Sequence, residues 1–167
     1  MMAVPVNQMR LAYAAVVSVF FTLMGCPAWI AQIAAATTER VVTNSQTGLA
    51  ISGFDPVAYF TTSRPVIGRA DVEARFAGAI WRFVNAGNRE AFKDSPDIYM
   101  PVFGGYDPTG IARGVAVAGH PEVWLIAGER LYLFRDSKNR EAFTAAADDI
   151  IASANRNWPD VQSALVR

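Results

Sequence analysis

The sequence predicts an α+β domain: two ββα units whose strands form one small antiparallel sheet covered by helices, preceded by a hydrophobic N-terminal helix. Three observations predict it. The pentapeptide NREAF occurs at 88–92 and again at 139–143. At an offset of 51 residues the match extends without a gap, VEARFAGAIWRFVNAGNREAF from Val72 against VWLIAGERLYLFRDSKNREAF from Val123. And the stretch from Leu11 to Thr38 carries no charged residue.

Each element follows in order. In the first unit, Val72 to Phe76 alternates, with Val72, Ala74 and Phe76 on one side. Ala77-Gly78 is a turn signal, and Ile80 to Val84 is a β-rich return run, so the pair reads as a hairpin. Asn85 then suits a helix N-cap, its side-chain oxygen accepting a free N–H of the first turn. The helix runs to about Lys93, with Asn88 and Phe92 at i, i+4 spacing and Pro96 beyond its end.

The second unit repeats this punctuation. Val123 to Ala127 is a strand, Gly128-Glu129 the turn, Arg130 to Phe134 the return strand and Asp136 the N-cap of a helix that begins near Ser137. No proline closes this helix, so it runs longer or is followed by another around Asp149 to Asn155. In this register NREAF is scaffold. Phe92 and Phe143 turn a ring onto the sheet, Ala91 and Ala142 allow close approach, and Glu90 and Glu141 sit in the first turn, where the helix dipole favours an acid.

Size and charge bound the function. The chain has 167 residues with 15 basic and 15 acidic side chains, enough for one core without staples and without the basic excess of a nucleic-acid groove. A lone cysteine, Cys26, and a lone histidine, His120, exclude an intramolecular disulfide and a Cys/His zinc framework. His120, between Gly119 and Pro121, reads as a loop residue before a strand. Trp81, Trp124 and Tyr132 read as core, and Trp158 as packing the C-terminal tail onto the domain.

Residues 1–36 read as an envelope address: a cleaved signal, an uncleaved membrane anchor long enough to span about 30 Å of hydrocarbon, or a lipoprotein leader with Cys26 as the lipidation candidate. All three export the domain, giving a periplasmic or periplasm-facing protein, with the membrane itself a partner if the segment is retained. Residues 37–49 read as a linker, 50–160 as the domain and 161–167 as a tail.

Two stretches lie outside the aligned repeat, Ile51-Ser52-Gly53-Phe54-Asp55-Pro56-Val57-Ala58-Tyr59-Phe60 and Phe103-Gly104-Gly105-Tyr106-Asp107. Together with Trp81-Arg82-Phe83, the Asn88-Arg89 helix, Leu131-Tyr132-Leu133 and Asn157-Trp158-Pro159, in this order, they resemble the exported YHS-domain proteins of bacteria over about Ala50 to Pro159. The resemblance implies a small exported α+β domain, and many such domains are associated with metal handling. The chain departs from the family pattern twice. Where the metal-associated form has cysteine after Asp-Pro-Val there is Ala58, and where the exported branch has cysteine after Gly-Gly-Tyr there is Asp107. Thiol redox chemistry and soft-metal binding lose their sulfur atoms.

The ligand-binding candidates are therefore Asp55, Tyr59, Gly104, Gly105, Tyr106 and Asp107, with Asp107 as a candidate oxygen ligand for a hard cation. Beside this stands a local reading: Asp107-Pro108-Thr109-Gly110 matches turn chemistry, with Asp accepting a backbone N–H and Pro second, and Asp55-Pro56 does likewise. No set of nucleophile, base and orienting group has the spacing of an enzyme mechanism. The expected function is a non-catalytic exported domain without cofactor that binds a protein partner in the envelope or serves a membrane complex. The alternative is a periplasmic domain that binds a metal ion or small ligand through Asp107.

Overall fold

A computed structural model describes residues 40–165; the leader, the anchor and the Cys26 readings fall on residues outside this range. Within it the fold is mixed helix and strand. The order is α1 (Ala58–Thr61), β1 (Arg69–Phe76), β2 (Ala79–Phe83), α2 (Ala86–Asp94), α3 (Pro96–Tyr99), α4 (Pro108–Ile111), β3 (His120–Ala127), β4 (Arg130–Phe134), α5 (Ser137–Ala145) and α6 (Ala147–Ala164). The caps sit where the side chains dictate. Asn85 accepts the N–H of Asn88, and Asp136 accepts that of Asn139.

The strands do not merge into one sheet. β1 pairs with β2, and β3 with β4, as two separate antiparallel hairpins. The reason lies in the chain ahead of the first unit. Ala50 donates to the Ile80 carbonyl and Ile80 donates to the Gly48 carbonyl, so this segment occupies the outer edge of β2. Residues 40–49 thus lie against the domain rather than forming a free linker, and Val41 is buried in its core. Both hairpins turn through two residues of positive φ, Ala77-Gly78 and Gly128-Glu129, as the right-handed twist of paired strands requires. Both carry the same register break, between Arg69 and Glu73 and between His120 and Trp124. His120 is the first residue of β3 rather than part of a loop.

The two cores meet on β4. Leu131 and Leu133 point into a first cluster with Trp81, Phe83, Phe92 and Tyr59, while Tyr132 and Phe134 point into a second with Phe143, Ile111 and Val161. Alternation along a strand sends neighbours to opposite faces, so β4 is a shared wall. Each fully buried ring or branched chain contributes about 1.5–3 kcal/mol. Phe92 packs on Trp81 and Phe83 at ring distances of 5.0 and 5.3 Å, and Phe143 packs on Tyr132 and Phe134 at 4.9 and 5.2 Å. The acids of NREAF act differently from the expectation. Glu90 lies beyond the first turn of α2 and bonds Arg89 and Lys93 instead. Ala91 is half-buried, but Ala142 faces solvent.

After α5 the chain turns at Ala146 into the 18-residue α6, which reaches Ala164 and buries Ala154 and Val161. The C-terminal segment through Ala164 is therefore helix, not tail. Asn157 donates to the carbonyls of Ile111 and Ala112, closing the end of α4, and Trp158 packs its ring on Phe103 and Tyr106. Among the described residues no helix is long and apolar enough to cross a membrane.

Candidate functional site

The duplication is longer than the alignment of the hairpins and helices reveals. Asp55 and Asp107 occupy equivalent places, 52 residues apart, whereas the strands behind them repeat at 51; one residue fewer in the second unit conceals the match. In both units the aspartate N–H donates to a valine carbonyl, Val66 or Val117, and a glycine ahead of it, Gly53 or Gly105, accepts from Gly68 or Gly119.

Both carboxylates are fully buried. One oxygen of Asp55 accepts from the backbone of Val57 at 2.8 Å and Ala58 at 3.3 Å; the other accepts from Val84 N at 2.8 Å and Asn88 Nδ2 at 2.7 Å. In Asp107 one oxygen accepts from Thr109 N and Thr109 Oγ1, both at 2.8 Å, and the other from Arg135 N at 2.9 Å and Asn139 Nδ2 at 2.6 Å. A carboxylate offers about four lone-pair positions, and four donors take them in each case. Each aspartate therefore ties three pieces together: its own turn, the end of the return strand and the first turn of the helix. Burial of an acid is tolerated because every lone pair is met.

The glycines before Asp107 have an equally structural reason. Phe103, Gly104 and Gly105 have φ of 55, 64 and 91°, matching Ile51, Ser52 and Gly53 at 42, 56 and 81°. Three successive left-handed residues are strained unless glycine takes part. Gly104 is further constrained by contact. Val42 donates to its carbonyl at 2.8 Å, and a Cβ on Gly104 would lie only 1.8 Å from the Arg40 carbonyl oxygen. The equivalent Ser52 faces solvent and keeps its side chain.

The remaining candidates are placed as follows. Tyr59 is buried; its hydroxyl donates to the Pro121 carbonyl at 2.9 Å and its ring meets Trp124 edge-on at 5.3 Å, a strut from the first unit to the second. Burial, with Glu122 and Asp55 nearby, raises its pKa far above the usual phenol value. Tyr106 is buried against Trp158. Asp55, Tyr59, Gly105, Tyr106 and Asp107 therefore belong to the packed frame, and of the candidates only Gly104 borders the cleft described next. Among the described residues no group of three or more His, Cys, Asp or Glu side chains is placed to hold a metal ion.

The cleft has a volume of about 480 Å³ and lies where the Arg40–Val41 segment, the end of β1, α3, the Val102–Gly104 turn, the start of β4 and α6 converge. Apolar walls come from Phe76, Phe103 and Trp158. Arg40, Arg130 and Asp97 bring charge to it, and Asn155 and Gln162 bring amides. Neither arginine has an ion-pair partner among the described residues. No motif marks these positions, because they come from six separate segments and meet only through the fold. Comparison with protein-family models, with curated proteins and with solved structures gave no match.

Proposed function

We propose that this protein is a non-catalytic, exported, YHS-like binding domain that engages a protein partner in the cell envelope, as an accessory subunit of a membrane complex, through the cleft between Arg40, Trp158 and Arg130. One observation carries the reading. The motif residues that would have supplied chemistry are consumed by the fold, each aspartate by four hydrogen bonds, whereas the cleft leaves aromatic rings, arginines and amides turned to a concave surface. The N-terminal segment 1–36, free of charge from Leu11 onward, supplies the export element. The same hydrogen bonds weigh against the alternative of a cation or small ligand held by Asp107, since a hard cation needs several free oxygens.

The test is recovery of the full-length protein from its own membranes in mild detergent, beside an Arg40→Glu/Arg130→Glu variant. The expected result is a co-purifying protein with the wild type and its loss with the variant. Recovery of the wild type as a lone monomer contradicts the reading.

A further inference from the structure

The cleft also constrains the chemistry of what enters it. We infer that it takes a polypeptide segment presenting a carboxylate beside an apolar side chain, an inference that rests on the cleft being the binding face. Arg40 and Arg130 bring two positive charges to its lining and Asp97 one negative charge, so the excess is cationic. Arginine meets carboxylate through paired N–H donors, and among the described residues neither arginine has an ion pair that this contact must break. The aromatic walls ask for an apolar group. Phe103 and Trp158 meet edge-on at 5.6 Å, and Phe76, more than a third exposed, lines the cleft with them. Asn155 and Gln162 each offer a donor and an acceptor, the complement of a peptide group, which favours a polypeptide over a simple fatty acid.

The experiment titrates the full-length protein in detergent with N-acetyl-phenylalanine, N-acetyl-phenylalanine carboxamide and octanoate, read by calorimetry and by the Trp158 indole N–H signal in NMR, assigned with Trp158→Phe. The acid is expected to bind about tenfold more tightly than the carboxamide, the difference one charge-assisted contact supplies. The gap is expected to close in Arg40→Glu/Arg130→Glu, with unfolding temperature confirming that the variant is folded. Equal affinity for acid and amide, no shift of the Trp158 signal, or tighter binding of octanoate each overturns the inference. A partner recovered from membranes alongside any of those results leaves the binding reading standing and removes only the ligand chemistry.

Discussion

Asp107 and Asn139 show how the residue scale decides the interpretation of this chain. The aspartate stands where the resemblance to exported YHS-domain sequences leads one to expect cysteine, which invites a reading as a ligand. Its surroundings say otherwise: two backbone N–H groups, a hydroxyl and an amide converge on it, and removing the carboxylate leaves buried and half-buried donors without their acceptor. Asp107→Ala is expected to destabilise the domain by about 3–5 kcal/mol in urea unfolding. Asn139→Ala removes a single donor and is expected to cost about 1–3 kcal/mol in the same measurement. A second residue-scale prediction contrasts the paired left-handed turns. Gly104→Ala places a methyl against the Arg40 carbonyl and is expected to cost at least about 2 kcal/mol, whereas Ser52→Gly relieves a positive φ on the surface and is expected to gain up to about 1 kcal/mol.

At the scale of elements, the hairpins and the helices that follow them were legible because their signals are local. Asn85 and Asp136 announce helix starts through one hydrogen bond each, and Asn85→Ala is expected to cost about 1 kcal/mol, measured by thermal unfolding. The separation of the two hairpins was not legible. It depends on Gly48 to Ala50 reaching the edge of β2, a contact between stretches some thirty residues apart with no pattern to announce it. The Asp55–Asp107 equivalence was hidden for a different reason, the single-residue difference in register that stops an ungapped alignment. The signal that would have found it is present in the letters Gly-Phe-Asp-Pro and Gly-Tyr-Asp-Pro, each followed about thirty residues later by Asn-Arg-Glu. The asparagine of the repeated pentapeptide is there to hold the aspartate, a role that helix capping and the helix dipole do not reveal.

At the scale of the whole molecule, β4 and Tyr59 join the two units. Tyr59 bridges them through Pro121 and Trp124, and burial raises its pKa. The neutral phenol is thus favoured by the folded state. Its contribution is complete below pH 10, where the unfolded chain also keeps the proton, and is lost as pH rises through the folded-state value. Stability is therefore expected to fall above about pH 10. Tyr59→Phe is expected to be weaker by about 1 kcal/mol at pH 7, from the lost hydrogen bond, but to show a shallower alkaline decline. Tyr132, shifted in the same direction by burial, keeps part of the decline in the variant.

The cleft belongs to this scale as well, since both units and the Arg40 segment are needed to form it. The function proposed for it presupposes that the duplicated aspartates are structural. The most direct measurement is urea unfolding of the wild type and Asp107→Ala, each with and without added Ca²⁺, Mg²⁺ or Zn²⁺. If the four hydrogen bonds consume Asp107, the wild type gains nothing from any ion and the variant is weaker by the same amount in every buffer. An ion that stabilises the wild type and leaves Asp107→Ala unmoved would make Asp107 a ligand and contradict the structural role.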